Sequence, residues 1–248
     1  MTYIDIHCHL DLLENISQVI ENANNSGVEI ILTQGINAET NRKALALAKE
    51  YKEVKACLGI YPIDALKMTD KEIDSEIAFI KANKKYIVAI GEVGMDFKED
   101  DIDHERQKKI FTKFIALSIE LDMPIIIHSR KAEKECIELL EKCNAMKVIM
   151  HCFCGKWKLV ERIQKNGWFL TVPTSVTKSE QFQAIAQEVP LAQLFCETDS
   201  PYLHPDKIWP NEPANIVRSY LELARLRKIS VEDGREIIRN NYLKLFKK

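Results

Sequence analysis

Residues 5–11 read Asp5-Ile6-His7-Cys8-His9-Leu10-Asp11, and they combine the end of the first apolar run with two histidines two positions apart. Side chains at i and i+2 of a strand project from one face, so Asp5, His7 and His9 share a face. Neutral imidazole is a common ligand of divalent transition metals, and the carboxylate of Asp5 is placed where it could orient a ligand ring. The stretch therefore predicts a strand that ends at a metal site, the alternative being ordinary polar residues at a strand end.

Outward from this stretch, short β-branched runs alternate with longer segments of helical period. Eight such runs can be identified, at Tyr3–His7, Glu29–Gln34, Val54–Gly59, Ile87–Glu92, Pro124–His128, Lys147–His151, Trp168–Val172 and Leu194–Glu197. The segments between them place apolar residues at i, i+3, i+4 and i+7, as helices packed on a sheet do. Strands that are apolar on both faces and each followed by a helix predict a parallel (β/α)8 TIM barrel.

An open, doubly wound α/β sheet is the alternative architecture. It lacks support from motifs, because neither G-x-G-x-x-G nor G-x-x-x-x-G-K follows any of the runs. Two extra helices are expected after the eighth run, near Pro213–Arg227 and Val231–Phe246, with Ser230 capping the second. The sequence contains no linker of Pro, Gly or Ser, so we expect residues 1–248 to form one domain.

Composition restricts the class of protein. The chain has 248 residues, of which 46% are hydrophobic and 29% charged, which is typical of a globular protein and not of a disordered or membrane protein. The formal net charge of −2 provides no global field for nucleic acid, so any polyanion site must be a local basic patch. The seven cysteines, including the pair Cys152 and Cys154, are expected to be reduced thiols in a cytoplasmic protein without a signal peptide.

Residues able to bind metal fall at the ends of the predicted strands. These residues are His7, His9, Glu92, His128, His151 and Asp199. Each alone has a structural explanation, such as a capped strand end or a solvated loop acid. However, the carboxyl ends of barrel strands share one face, where active sites are built, so the six side chains are expected to meet.

The chemistry that suits this set is metal-assisted hydrolysis. A catalytic zinc ion uses three protein ligands and a water, and six candidates exceed what one such ion needs, so two ions are expected. The two oxygens of Glu92 can bridge two such ions. Asp199 can bind one ion and also accept the proton of the nucleophilic water as general base.

Six stretches together resemble the TatD-type metal-dependent deoxyribonucleases, in order and across the whole chain. They are IDIHCHLD at Ile4–Asp11, AIGEVGMD at Ala89–Asp96, IHSR at Ile127–Arg130, HCFCG at His151–Gly155, ETDSPY at Glu197–Tyr202 and NEPAN at Asn211–Asn215. The resemblance implies an amidohydrolase-like TIM barrel that hydrolyses DNA phosphodiesters, as a 3′-5′ exonuclease on single strands, in the cytoplasm. It also implies one metal held by His7, His9, Glu92 and Asp199, and a second held by Glu92, His128 and His151.

Substrate contacts are expected from Arg130, Tyr61, Asn211 and Glu212. Arg130 suits a phosphate because guanidinium binds phosphate oxygens in a bidentate manner. Two positions depart from the family pattern, because Tyr61 replaces a histidine in Gly-X-His-Pro and Pro210 replaces an arginine before Asn-Glu-Pro. Both departures remove potential positive charge. Four histidines favour Zn²⁺, Mn²⁺, Co²⁺ or Ni²⁺ over Mg²⁺, whereas the family is associated with Mg²⁺ and Mn²⁺, so the identity of the metal stays open.

Three functions are compatible with these residues. The first is the deoxyribonuclease, and aromatic and basic residues near the expected mouth, including Tyr202, Trp209 and Lys207, could stack single-stranded bases and hold phosphates. The second is a metallohydrolase of the same fold that acts on a small ester or amide. The third, a metal-stabilised scaffold without turnover, has the least support because every ligand position is filled.

Overall fold

The computed structural model describes residues 2–99 and 101–246 and shows a barrel of eight parallel strands. Each strand pairs with the next in sequence order. The strands are β1 Tyr3–Cys8, β2 Val28–Gln34, β3 Val54–Leu58, β4 Ile87–Gly94, β5 Ile125–His128, β6 Val148–Met150, β7 Phe169–Pro173 and β8 Leu194–Glu197. This order confirms the predicted TIM barrel and excludes the open doubly wound sheet, in which the strand order reverses.

Helices surround the barrel. They are α1 Ile16–Asn25, α2 Ala38–Glu50, α3 Pro62–Leu66, α4 Asp70–Ala82, α5 His104–Leu121, α6 Glu133–Lys142, α7 Trp157–Lys165, α8 Glu180–Glu188, α9 Ile216–Arg227 and α10 Val231–Phe246. Short 3-10 turns occupy Leu10–Leu12, Thr174–Thr177, Leu191–Gln193 and Pro213–Asn215. Within the described ranges, no helix has the combination of length and apolarity that crossing a membrane requires.

The two helices after β8 were expected, and one boundary differs. The first was predicted from Pro213, but residues Pro213–Asn215 form a 3-10 turn and α9 begins at Ile216. The predicted cap of α10 is present, because Ser230 Oγ accepts a hydrogen bond from Asp233 N at 3.0 Å and donates to Asp233 Oδ2 at 2.6 Å. All seven cysteines lie within the described residues and are free thiols.

The barrel closes between β1 and β8 through a mixture of side-chain and backbone contacts. At the amino-terminal end, the hydroxyl of Tyr220 on α9 accepts from Ile4 N at 3.1 Å and donates to Ile4 O at 3.0 Å. At the carboxyl end, Asp199 N donates to His7 O at 2.9 Å and His9 N donates to Ser200 O at 2.7 Å. We call this set of contacts the seam.

A close approach between β4 and β5 depends on glycine. Gly94 has a φ of +146°, and a Cβ atom at this position would overlap the carbonyl oxygen of His128. A larger residue here would therefore push apart the two strands that carry Glu92 and His128.

The seam predicts a specific loss of stability. Replacing Tyr220 by Phe leaves Ile4 N and Ile4 O without a partner in a buried position, which costs about 1–3 kcal/mol for such a group. We expect the free energy of unfolding to fall by about that amount, measured by urea denaturation. Tyr86→Phe is the control, because the Tyr86 side chain is exposed. Equal stability of the Tyr220→Phe variant and the unmodified protein would contradict the role of the hydroxyl.

Candidate metal centre

All six predicted ligand side chains lie at the carboxyl end of the barrel. His7 is in β1, Glu92 in β4 and His128 at the end of β5, while His9, His151 and Asp199 follow β1, β6 and β8 directly or within two residues. We call these six residues the ligand cluster. Apart from His128 and Asp199, which are partly exposed, they are buried.

Glu92 stands between two pairs of histidines. Its Oε2 atom lies 3.5 Å from His7 Nε2 and 3.4 Å from His9 Nε2. Its Oε1 atom lies 2.8 Å from His128 Nδ1 and 4.0 Å from His151 Nε2. The two carboxylate oxygens are therefore divided between the two pairs, which is the arrangement expected of a bridging carboxylate.

Asp199 faces the same space from the other side of the barrel. Its Oδ1 atom lies 3.7 Å from both His7 Nε2 and His9 Nε2, and 3.9 Å from His151 Nε2. The residue has a φ of +54°, a left-handed conformation that is unfavourable for a residue with a Cβ atom. The seam bond from Asp199 N to His7 O holds this conformation.

Two sets of side chains bring three ligand atoms within 4.8 Å of one another, namely His7 with Glu92 and His151, and His7 with His9 and Asp199. His128 is outside these sets because its Nδ1 contacts Glu92 and its Nε2 lies 3.1 Å from Asp96 Oδ2. Imidazole nitrogens and carboxylate oxygens are the donors that Zn²⁺ and Mn²⁺ accept. The side chains therefore fit a divalent ion.

The electrostatics of the ligand cluster favour added positive charge. Burial alone would lower the pKa of His151, but the carboxylates of Glu197 and Asp199 outweigh it and raise the pKa to about 10. Burial raises the pKa of Asp199 to about 7, and the carboxylates of Glu197 and Glu92 add to this shift while His151 opposes it. Burial, together with the charge of His151, lowers the pKa of His7 to about 4. A buried group of carboxylates that holds a proton on one histidine is a site that a cation would stabilise.

Glu197, which was not predicted as a site residue, orients His151. Its Oε2 atom lies 2.8 Å from His151 Nδ1, and its Oε1 atom accepts from Cys152 N at 3.1 Å. Because the carboxylate only accepts, Nδ1 carries a proton, and Nε2 faces the ligand cluster, where a metal ion would displace its proton and take its lone pair. The sequence feature that could have identified Glu197 is its position two residues before the ligand Asp199, as the last residue of β8.

Asp5 does not perform the role that was expected of it. Its carboxylate accepts hydrogen bonds from the Thr198 backbone nitrogen at 2.8 Å and from the Thr198 hydroxyl, so it stabilises the seam instead of a ligand ring. The Nδ1 atoms of His7 and His9 are buried without a hydrogen-bond partner among the described residues. The prediction was wrong because sharing a strand face does not bring a carboxylate within reach of the neighbouring ring.

Asp96, also missed as a site residue, organises the rim of the site. Its Oδ2 atom accepts from the Tyr61 hydroxyl at 2.7 Å and from Arg130 Nε at 2.9 Å, and it lies 3.1 Å from His128 Nε2. Arg130 Nη2 also donates to the Tyr61 hydroxyl at 3.1 Å. Tyr61 and Arg130, two of the predicted substrate residues, are thus held together beside His128.

The other two predicted substrate residues, Asn211 and Glu212, have partners within the protein. Asn211 is fully buried, and its amide nitrogen donates to Thr198 O at 3.0 Å and to Tyr202 O at 2.8 Å. Glu212 accepts from Asn22 Nδ2 at 3.0 Å. These contacts describe an anchor for the loop after β8, and substrate binding by the two residues stays a prediction.

A cavity of about 470 Å³ opens above the ligand cluster. It is lined by cluster residues and by a rim of aromatic, aliphatic and basic side chains, which are Leu12, Ile36, Tyr61, Arg130, Tyr202 and Leu203. Its volume is that of a small-molecule site, so it can take a nucleotide-sized group but not a folded macromolecule.

Comparison with known proteins agrees with this arrangement. A family model described as TatD related DNase matches residues 4–247. An uncharacterized metal-dependent hydrolase from Methanocaldococcus jannaschii is 35% identical over 99% of this chain and 97% of its own length. The human protein named deoxyribonuclease TATDN3 is 33% identical over 99% of this chain and 94% of its own length. The crystal structure of the TatD homologue YjjV from Escherichia coli superposes with a TM-score of 0.92 at 27% identity, covering 99% of this chain and 98% of the other.

The contact between Glu197 and His151 predicts an effect on metal binding. In Glu197→Gln the amide no longer provides a charged acceptor for His151 Nδ1, and loss of such a partner commonly weakens metal affinity about 10- to 100-fold. Competition with a chromogenic chelator for Zn²⁺ or Mn²⁺ measures this change. Glu141→Gln is the control, because Glu141 pairs with Arg162 on the outer helices. Unchanged affinity in Glu197→Gln would rule out the orienting role.

Proposed function

Because the chain belongs to the TatD-related DNase family of metal-dependent hydrolases, we propose that it is a deoxyribonuclease that shortens single-stranded DNA from the 3′ end. The observation that carries this proposal is the position of Glu92, whose two oxygens face separate pairs of histidines. A carboxylate between two such pairs is suited to two ions a few ångströms apart, as in nucleases and phosphatases.

In the proposed centre, one ion is held by His7, His9, Glu92 and Asp199, and the other by Glu92, His128 and His151. Two divalent ions at this position would polarise the phosphodiester and lower the pKa of an attacking water. Zn²⁺ and Mn²⁺ suit the four imidazoles better than Mg²⁺ does. We therefore propose Zn²⁺ or Mn²⁺ as the resident metal, with Mg²⁺ as the alternative.

The protein's own residues supply proton transfer and orientation. Asp199 is proposed as the general base, because its Oδ1 atom faces the ligand cluster, where a metal-bound water would lie within its reach. Glu197 keeps the Nε2 atom of His151 directed at the cluster. Arg130, which lines the cavity, is proposed to donate to a phosphate oxygen at the rim, and Tyr61, which donates its one hydroxyl proton to Asp96, is proposed to hold the Arg130 guanidinium in place there.

The proposed preference for single-stranded ends rests on the shape of the site. The ligand cluster lies below a rim in a cavity of about 470 Å³, which a terminal nucleotide can enter and a base-paired duplex cannot. We propose a cytoplasmic location, which the free thiols of all seven cysteines support.

The test is a cleavage assay with a 5′-labelled single-stranded oligonucleotide and added Zn²⁺, Mn²⁺ or Mg²⁺, with EDTA as the metal-free control. We expect a ladder that shortens from the 3′ end and disappears in EDTA. Asp199→Ala should lower kcat by about 10²- to 10⁴-fold, the contribution of a positioned general base, and His128→Ala should abolish cleavage. His104→Ala, which removes an exposed histidine of α5, should leave the rate unchanged.

Two results would contradict the proposal. Full activity of Asp199→Ala would remove its assignment as general base. No cleavage of any oligonucleotide by protein shown to contain metal would overturn the deoxyribonuclease and favour a hydrolase of a small ester or amide. The ion pair between Arg130 and Asp96 is the observation that favours this second function, because it reduces the positive charge available to a phosphate.

A further inference from the structure

Two exposed aromatic rings continue the wall of the metal-site cavity onto the surface. Tyr202 lines the cavity and its ring centroid lies 6.3 Å from that of His9, a member of the ligand cluster. Trp209 lies beside Tyr202, with 5.7 Å between ring centroids. We call these two rings the aromatic platform. It forms a continuous path from the ligand cluster to solvent.

The exposure of the aromatic platform is unusual for side chains of this type. Trp209 is 66% exposed and Tyr202 is 47% exposed, and the neighbouring Ile208 is 62% exposed. Leu12, which also lines this cavity, is exposed as well. Contiguous exposed apolar groups next to a functional cavity indicate a binding surface rather than a packing defect.

The loop that carries the aromatic platform is held in place by hydrogen bonds. Tyr202 N donates to Asp199 O at 2.8 Å, and Tyr202 O accepts from the buried Asn211 amide at 2.8 Å. Leu203 O accepts from the Thr174 hydroxyl at 2.6 Å, and Asn211 N donates to Pro201 O at 2.9 Å. Since the rings are already positioned, a ligand that stacks on them does not have to order the loop.

Three cations lie in or beside the loop that carries the aromatic platform. Lys178 and Arg218 both contact the carboxylate of Asp206, at 3.7 and 3.2 Å, and Lys207 is exposed two residues before Trp209. On the cavity side, the carboxylates of Asp199, Glu92 and Asp11 add to the effect of burial in raising the pKa of Tyr202. A ligand that combines a flat π-system with a linked negative charge matches this surface, whereas a purely apolar ligand leaves the cations unused.

We infer that the aromatic platform is a subsite that stacks unpaired nucleobases next to the scissile phosphate, an inference that rests on the proposed deoxyribonuclease function. Aromatic side chains stack on every base, because each base has a π-face, so the subsite selects single strands without selecting sequence. The subsite would thereby bind the nucleotides next to the 3′ terminus.

The experiment measures coupling between Trp209 and the base. The metal-loaded protein is titrated with a fluorescein-labelled oligonucleotide whose 3′-terminal linkages are cleavage-resistant phosphorothioates, and with the same oligonucleotide made abasic at its last three 3′ nucleotides. We expect the abasic change to raise Kd roughly tenfold. In the metal-loaded protein, Trp209→Ala should raise the Kd of the normal strand by a similar factor. In that variant the abasic change should have a smaller effect than in the unmodified protein, since the contact between Trp209 and the base is already absent.

Matched controls separate stacking from other causes. Trp209→Phe should retain most of the affinity because it keeps an aromatic face, and Tyr202→Ala should reproduce the loss. Tyr86→Ala should have no effect, since Tyr86 is an exposed aromatic residue that precedes β4 at the opposite end of the barrel. Equal weakening of normal and abasic strands by Trp209→Ala, or no weakening of either, would overturn the subsite.

The proposed function fails by a different result. Cleavage of the labelled strand without phosphorothioates by the metal-loaded protein reports on the nuclease, independently of the coupling between Trp209 and the bases. Cleavage without coupling would reject the aromatic platform alone, and coupling without cleavage would leave a single-strand binding surface on a protein that is not a nuclease.

Discussion

Closure of the barrel between β1 and β8 is the constraint on which the metal centre depends. His7 and His9 belong to the start of the chain and Asp199 follows the last strand, so they meet only because Asp199 N donates to His7 O and His9 N donates to Ser200 O. The same bond from Asp199 N stabilises the left-handed conformation that directs its carboxylate at both imidazoles. A shift of one residue in this pairing would turn the ligands away, because side chains of a strand alternate between faces.

Without a bound cation, the ligand cluster lowers the stability of the folded protein. Several carboxylates are buried near four imidazoles, and burying charge costs free energy unless the charge is paired. The structure offsets part of this cost locally: Asp5 accepts from Thr198, Glu197 contacts His151, and Glu92 contacts His128. Each of these contacts also fixes a side chain in position. The groups that reduce the electrostatic cost are therefore the same groups that preorganise the site, which explains why they are buried and not solvated.

Periodicity in the sequence predicted the strands, the barrel and the six residues that meet at its carboxyl end, because these depend on local pattern and on a rule that holds for all parallel barrels. The orienting carboxylates were harder to predict. Asp5 and Glu197 each lie two positions before a ligand in the sequence, yet Asp5 contacts Thr198 across the seam and Glu197 contacts His151, which follows a different strand. Which ring a carboxylate reaches depends on the register between strands distant in sequence, and no local spacing encodes that register. Asp96 was missed for the same reason, since its partners Tyr61 and Arg130 come from other loops.

The replacement of a family histidine by Tyr61 changes how the rim can attract a phosphate. The negative charge of Asp96 would raise the pKa of a histidine at this position and favour its protonated form, whereas burial and the contact with Asp96 raise the pKa of Tyr61 and keep it neutral. Arg130 at this rim is paired with Asp96, so the pair contributes little net charge. For the proposed DNA substrate, attraction would then come from metal held by the ligand cluster and from the cations near the aromatic platform, while Arg130 would contribute directional hydrogen bonds. In this arrangement the charges that attract DNA lie away from the rim, and the hydrogen-bond donors lie at the rim. The proposed unpaired strand would be held by its bases, and one phosphate would be positioned by hydrogen bonds.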